Sequence, residues 1–137
     1  MLPTDYIAQQ TEERQALLTA IHKTIVAADK TITPVVEPMM GKDMILYKAK
    51  NMMKYGLSSV KNYISLHVLP MYMNPKIYDR YKALLPLASF QKGCINFTGA
   101  DQVPIAIVEK LIKDCAAVDL HKVREEQLQA RKQAKKK

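Results

Sequence analysis

The sequence predicts one α+β domain, in which an antiparallel sheet of about four to five strands packs against N-terminal, middle and C-terminal helices. Three observations predict this fold. The 137 residues, 48% of them hydrophobic, are enough for a single core. Apolar residues recur at helical spacing near both ends of the chain, whereas a central stretch rich in Tyr, Val, Ile and Met alternates as strands do. We assign the domain to residues 1–120 and a basic, frayed or disordered tail to residues 121–137.

The chain is expected to begin with two helices. Apolar residues follow helical spacing from Thr4 to Ala28, and Thr11 followed by two glutamates is typical of a second helix start. We therefore predict a short helix, a kink and an amphipathic helix to about residue 28. Beyond it, Pro34 and Pro38 favour a stretch that is largely extended or irregular.

Three consecutive antiparallel strands are predicted between Asp43 and Val68. The clearest runs from Val60 to Leu69, and its side chains alternate between two faces. One face is mostly apolar and is expected to pack on helices. The other face is mixed and carries a row of side chains about 7 Å apart, namely Lys61, Tyr63, Ser65 and His67.

A middle helix, a fourth strand and a last helix complete the predicted domain. Asn74 can cap a helix that begins at Pro75, because proline fits the first helical position. After a turn at Lys92-Gly93, the run Cys94–Phe97 alternates as a strand does. Pro104 then introduces a helix with one apolar face.

The charge is concentrated at the C-terminus. The chain carries a formal net charge of +8, and residues 121–137 hold seven Lys or Arg against two Glu, which leaves only +3 on residues 1–120. The tail could therefore bind nucleic acid weakly, in a salt-sensitive and sequence-independent way. The alternative is a solvated tail that aids solubility. The basic residues concerned are Arg131, Lys132, Lys135, Lys136 and Lys137.

The sequence also indicates a compartment. The first residues lack the basic start and unbroken apolar stretch of a secretory signal, and no run approaches the ~18 apolar residues that a membrane span needs. We expect a cytoplasmic protein with no membrane partner, either a monomer or a homodimer. Its two cysteines, Cys94 and Cys115, are expected to be free thiols.

No motif indicates an enzyme or a cofactor. Cys94 and His67 suggest a thiol with a base, but sequence alone does not bring them together, and each has a structural alternative as a strand residue. The histidines at 22, 67 and 121 lack metal-ligand spacing, and the four glycines stand singly at turns rather than in a phosphate-binding loop. We therefore predict a binding or accessory module rather than an enzyme.

The mixed face of the predicted sheet is the best candidate site. We predict that Lys61, Tyr63 and His67 bind a ligand, and that Tyr47 and Tyr55 join them from neighbouring strands. Aromatic rings with polar ends suit a pocket for a small anionic or aromatic ligand, or the contact surface of a protein partner. The alternative is that these tyrosines merely pack on the sheet and keep their hydroxyls in water.

The chain resembles the YdhG-like family, a bacterial domain of unknown function (1801). The resemblance spans roughly Thr4–Leu120 and rests on the order of four segments, which are Lys61–Val68, Tyr81–Pro86, Lys92–Phe97 and the helix after Pro104. It implies an α+β fold with a curved antiparallel sheet on helices. One member of the family is described as a frataxin-like intracellular iron chaperone, which makes iron delivery an alternative function.

Iron delivery would need several carboxylates on one exposed surface, because iron prefers hard oxygen ligands. The available carboxylates are Asp5, Glu12, Glu13, Asp29 and Glu37, and lysines and arginines lie among them. Two of them fall in the first turn of a predicted helix, where the helix dipole favours negative charge without any ligand. We therefore expect weak or no specific binding of ferrous iron.

Overall fold

The computed structural model describes residues 1–39, 41–91, 93–99 and 101–135. Within these residues the chain forms six helices and six strands. The helices are α1 (Pro3–Ala8), α2 (Glu12–Ala28), α3 (Leu69–Met73), α4 (Pro75–Leu84), α5 (Ile105–Ala116) and α6 (Leu120–Lys135). The strands are β1 (Thr33–Met39), β2 (Lys42–Ala49), β3 (Met52–Ser59), β4 (Ile64–Val68), β5 (Ser89–Gln91) and β6 (Cys94–Phe97).

The strands form one open antiparallel sheet in the order β1-β2-β3-β4-β6-β5. The predicted α+β fold, with an antiparallel sheet and helices at the start, middle and end of the chain, is confirmed. The sheet of the described residues has six strands instead of about four to five, because β1 and β5 extend it at its two edges. Strands β4 and β6 become neighbours although two helices and β5 separate them in sequence.

The first strand is an element that the sequence did not predict. Its prolines, Pro34 and Pro38, favoured a largely extended or irregular stretch, and in the structure they pair in register with Tyr47 and Asp43 of β2. Proline is tolerated in an edge strand, because its missing N–H can fall on the side that has no neighbouring strand. The position of β1 at the sheet edge therefore explains how a segment with two prolines forms a strand.

One face of the sheet forms the core with α2 and α5. The cross-strand register places alternate residues of β2, β3, β4 and β6 on this face. They meet the apolar stripes of the two helices, since both sets are buried in one cluster. The strand residues of the cluster are Ile45, Tyr47, Tyr55, Leu57, Ile64, Leu66, Val68, Ile95 and Phe97. Its residues from α2 and α5 are Leu18, Ile21, Ile25, Val108, Leu111, Ile112 and Cys115.

The strand predicted from Val60 begins at Ile64 instead. A turn precedes it, in which the N–H of Val60 donates to the carbonyl of Tyr63 at 3.0 Å. The guanidinium of Arg14 in α2 fastens this turn by donating to the carbonyls of Val60 and Lys61. Because one long side chain satisfies two carbonyls, the loop holds a fixed position beside the sheet.

The later helices begin largely where the sequence predicts. Asn74 caps α4 by accepting a hydrogen bond from the N–H of Lys76 at 3.1 Å, and Pro104 immediately precedes α5. The short helix α3 was not predicted. The predicted turn at Lys92-Gly93 includes Lys92, which lies outside the described residues.

The tail is helical as far as Lys135, where the sequence suggested a frayed or disordered segment. Asp119 caps α6, because its carboxylate accepts a hydrogen bond from the N–H of Lys122 at 3.1 Å. Leu120 is buried and Val123 is half-buried, but residues 124–133 are all exposed. The last two lysines, 136 and 137, lie outside the described residues. No helix of the described part of the chain is long and apolar enough to span a membrane.

We expect a chain truncated after Leu120 to remain folded. Among the removed residues whose burial is described, Val123 is half-buried and the others are exposed, so the free energy of unfolding should fall by less than about 1 kcal/mol. Urea denaturation of both chains measures this difference. A larger loss would mean that α6 is part of the domain core.

The same two chains test the nucleic-acid hypothesis. Comparing their DNA binding at physiological salt shows whether the tail supplies the contact.

Candidate functional site

Polar side chains gather on the sheet face opposite the core, which we call the polar face. Its central members come from three adjacent strands and are Ser58 of β3, Ser65 and His67 of β4, and Cys94 and Asn96 of β6. A cavity of about 310 Å³ lies over them. Further lining residues include Lys42, Asp43, Met44, Tyr63 and Gln91.

His67 and Cys94 form the chemically most distinctive pair in this cavity. They are direct cross-strand partners on β4 and β6, so their side chains project to the same side at the same level. Nδ1 of the His67 ring lies 2.9 Å from Sγ of Cys94. We refer to these two residues as the His67–Cys94 pair.

A glycine leaves space beside the His67 ring. Gly56 is the cross-strand partner of His67 on β3. A Cβ at position 56 would lie 3.3 Å from Cβ of His67 and 2.5 Å from the terminal methyl of Met44, which is too close to the methyl. Glycine in the middle of a strand often marks such a close approach. Here it leaves the space that the terminal methyl of Met44 occupies, and Met44 forms an apolar part of the cavity wall.

Burial sets the protonation of the His67–Cys94 pair. It lowers the pKa of His67 and raises the pKa of Cys94, because both charged forms lose hydration in the cavity. The pair is therefore a neutral imidazole and a neutral thiol near pH 7. In the tautomer with its proton on Nε2, the ring accepts the thiol proton at Nδ1.

Ser65 and Asn96 form a second polar contact next to this pair. They are cross-strand partners, and the Ser65 hydroxyl donates to Oδ1 of Asn96 at 2.7 Å. This bond fixes the orientation of the carboxamide and directs its nitrogen away from Ser65. Within the described residues no hydrogen bond from that nitrogen is present, so it is a donor that a ligand can use.

The geometry of the pair favours proton transfer over metal binding. A nitrogen and a sulfur bound to one tetrahedral zinc ion would be about 3.6 Å apart, given typical bond lengths. The observed 2.9 Å is a hydrogen-bond distance and leaves no room for an ion between the atoms. Within the described ranges, no three His, Cys, Asp or Glu residues lie together as a metal site requires.

Two of the predicted site residues lie in the loop before β4, but only one of them lines the cavity. Tyr63 lines the cavity and is 38% exposed. Lys61 is exposed in the turn and is not among the residues that line the cavity. The strand was predicted to begin too early, so Lys61 was wrongly placed in line with His67. The cation that motivated an anionic ligand is therefore absent from the cavity wall.

Tyr47 and Tyr55 are core residues, which corrects the prediction that they join the polar face. Both are fully buried on the helix side of the sheet. The hydroxyl of Tyr47 lies 2.8 Å from Nδ1 of His22, and the hydroxyl of Tyr55 donates to Asp29 at 2.8 Å. They pair with each other across β2 and β3. The two tyrosines therefore face away from His67, and each buried hydroxyl has a partner.

Several of the carboxylates that were considered for iron binding form ion pairs or hydrogen bonds within the protein. Asp29 forms a buried ion pair with Lys54, and Glu37 forms a partly exposed ion pair with Lys48 at 2.9 Å. Asp5 accepts a hydrogen bond from the N–H of Leu2 at 2.8 Å. These contacts account for three of the five carboxylates without a ligand. Our expectation of weak or no specific iron binding stays a prediction.

Comparison of the chain with known proteins finds no matching family model, no matching curated protein and no matching solved structure. The resemblance to the YdhG-like family and the iron-chaperone role of one member therefore stay predictions. The contacts within the cavity are the basis for assigning a function.

Proposed function

We propose that this protein is a binding module for a small, uncharged polar molecule, and that its site is the cavity over the polar face. The observation that carries the proposal is the convergence of hydroxyl, carboxamide, imidazole and thiol groups from adjacent strands around a cavity of about 310 Å³. This volume lies at the lower end of the range for ligand pockets, which begins near 300 Å³.

The charges of the cavity support an uncharged ligand. Among the described residues, the charged side chains of the lining are Lys42 and Asp43, neighbours of opposite sign on β2. Their fields largely cancel, so the cavity favours neither an anion nor a cation. The remaining polar groups supply hydrogen bonds, while the ring of Tyr63 and the thioether of Met44 supply apolar walls. A flat molecule with one carbonyl or amide group suits this combination.

We expect Tyr63→Ala to weaken binding of a cavity ligand about tenfold, because it removes an aromatic wall worth about 1–1.5 kcal/mol. Candidate ligands are small uncharged amides and heterocycles, screened by saturation-transfer NMR and then titrated. Tyr72→Ala is the matched control, since Tyr72 is 58% exposed on α3 and does not line the cavity. It should leave the dissociation constant unchanged. Equal effects of the two substitutions, or no effect of either, would place the site elsewhere.

A further inference from the structure

Reversible binding alone does not account for a thiol held against an imidazole in the cavity wall. Sγ of Cys94 and Nδ1 of His67 are 2.9 Å apart, and both residues line the cavity that we propose for a ligand. An imidazole within hydrogen-bond reach of a thiol is the arrangement in which the ring can remove the thiol proton during reaction. The cavity gives a small molecule access to the sulfur.

We propose that Cys94 is a nucleophile with His67 as its general base, and that the site takes small uncharged α,β-unsaturated carbonyl compounds. The proposal rests on the binding function given above and names its ligand class. It goes beyond that function because the ligand becomes covalently attached.

The reaction is an addition that needs no oxidant, reductant or leaving group. Nδ1 of His67 takes the proton of the Cys94 thiol while Sγ forms a bond to the β-carbon of the compound. The electron pair of the carbon–carbon double bond moves towards the carbonyl group to give an enolate. The imidazolium then returns the proton to the α-carbon. The product is a thioether on Cys94, and His67 is neutral again.

The spacing on β6 matches this class of compound. Asn96 is two residues from Cys94 on the same face, a separation of about 7 Å along the strand. An amide that is bonded to Sγ through its β-carbon extends its carbonyl group by a few ångströms over the sheet. There the carboxamide nitrogen of Asn96, oriented by Ser65, can donate to the enolate oxygen.

Because the resting thiol is neutral, it needs a base in order to react. Because burial raises the pKa of Cys94, little thiolate exists at pH 7 without proton transfer to the ring. The ring is in its basic form at that pH, since burial lowers the pKa of His67. Within the part of the chain that the structure describes, the other titratable groups that share the cavity are Lys42, Asp43 and Tyr63.

The second cysteine provides an internal control. Cys115 is fully buried in the core on α5, and burial raises its pKa to about 12. It is exposed to reagents only after unfolding. The folded protein should therefore react at Cys94 alone, whereas both cysteines should react in concentrated urea.

The test uses acrylamide, a small uncharged α,β-unsaturated amide, with the full-length protein. Intact-protein mass spectrometry follows the adduct, and peptide mapping locates it. We expect one adduct at Cys94 in the folded protein and none after Cys94→Ala. His67→Asn keeps an amide near the position of Nδ1 but has no basic nitrogen, so it should lower the rate at pH 7 at least about tenfold.

The pH dependence distinguishes a general base from an ordinary thiol and needs no substitution. With His67 as the base, the rate should rise through the pKa of the imidazole and then stay nearly flat between about pH 7 and 8.5. Without it, the rate should rise about tenfold per pH unit over the same interval, following the thiolate fraction. His67→Asn should convert the first profile into the second.

Several results would overturn the proposal. These are a rate for Cys94 no greater than that of glutathione at the same pH, an unchanged rate in His67→Asn, or modification of Cys115 at an equal rate in the folded protein. If reversible ligands still bind the cavity in these cases, the binding function survives and only the covalent chemistry is wrong. If no compound binds, both are wrong.

Discussion

Replacing Lys54 by Met is expected to lower the free energy of unfolding by about 3–5 kcal/mol, the largest loss that we expect from one charged residue of this protein. Lys54 and Asp29 form an ion pair at 2.8 Å, with their side chains only 2% and 0% exposed. Removing the lysine leaves a buried carboxylate without its counter-ion. Asp29→Asn should be similarly costly, since it leaves the ammonium group uncompensated.

The carboxylate of Asp29 has an unusually full set of partners. One oxygen accepts hydrogen bonds from the N–H and the hydroxyl of Thr31, at 2.9 and 2.6 Å. The other contacts Lys54 and the hydroxyl of Tyr55, both at 2.8 Å. Because Asp29 is the C-cap residue that directly follows α2, this cluster joins the end of that helix to β3. Loss of this cluster would therefore weaken the contact between helix and sheet in addition to removing the ion pair.

The double variant Lys54→Met with Asp29→Asn separates the two contributions. We expect it to be more stable than the sum of the single losses predicts, because neither buried charge is left alone. Urea denaturation of all four proteins gives the coupling energy. Lys113→Met is the control, since Lys113 pairs with Glu109 but is 63% exposed, and it should cost less than about 0.5 kcal/mol. Equal losses for Lys54→Met and Lys113→Met would contradict the argument.

The ion pair also implies acid sensitivity. Burial by itself raises the pKa of Asp29, but the bonds from Lys54, Thr31 and Tyr55 together outweigh it, so the pKa in the folded protein lies below its ordinary value. A depressed pKa contributes stability above the unfolded value of about 3.9, and this contribution disappears as the pH falls through the folded value. The difference in stability between the wild-type protein and Asp29→Asn should therefore be largest near neutral pH and shrink below about pH 4.

Local pattern was enough to predict most of the fold. Helical spacing, the cap at Asn74 and the proline before α5 correspond to helices in the structure. The alternation within β4 correctly separated Leu66, on the core face, from Ser65 and His67 on the polar face. These features depend on residues that lie within a few positions of one another, so they can be recognised in a single sequence.

The parts that sequence missed depend on pairing over long distances. His67 and Cys94 were both noticed, but their contact requires β4 and β6 to be adjacent and in one particular register. Nothing in the intervening residues specifies that register. The β3 strand poses a related problem, because a bulge inserts Lys54 opposite the step between Tyr47 and Lys48. The irregularity lets Lys54 and its neighbour Tyr55 both reach Asp29, which strict alternation would forbid.

The tyrosines that were predicted to bind the ligand also show what sequence alone could not decide. Tyrosine suits both the wet face and the buried face of a sheet, since its ring is apolar and its hydroxyl needs only one partner. Composition could therefore place Tyr47 and Tyr55 on strands but could not choose their faces. Burial and the partner of each hydroxyl made the choice, and substitution of Tyr55 tests it.

Tyr55→Ala is expected to lower the free energy of unfolding by about 3–5 kcal/mol, as truncation of a large core aromatic side chain does. The ring of Tyr55 is fully buried between the sheet and the helices. Tyr63→Ala removes the same atoms from a side chain that is 38% exposed, and it should cost less than about 1 kcal/mol. Urea denaturation of both variants, beside the wild-type protein, measures the contrast.

Tyr55→Phe divides the loss into packing and hydrogen bonding. It keeps the ring but removes the hydroxyl that donates to Asp29 at 2.8 Å, so we expect a cost of about 1–3 kcal/mol. Since Lys54 contacts the same carboxylate oxygen, the losses from Tyr55→Phe and Lys54→Met should not add. If Tyr55→Ala instead kept nearly full stability and abolished binding of a cavity ligand, Tyr55 would be a ligand-binding residue after all. We expect the opposite pattern. Tyr55→Ala should cause a large loss of stability, because Tyr55 lies on the core side of the sheet, and Tyr63→Ala should weaken ligand binding, because Tyr63 lines the cavity on the other side.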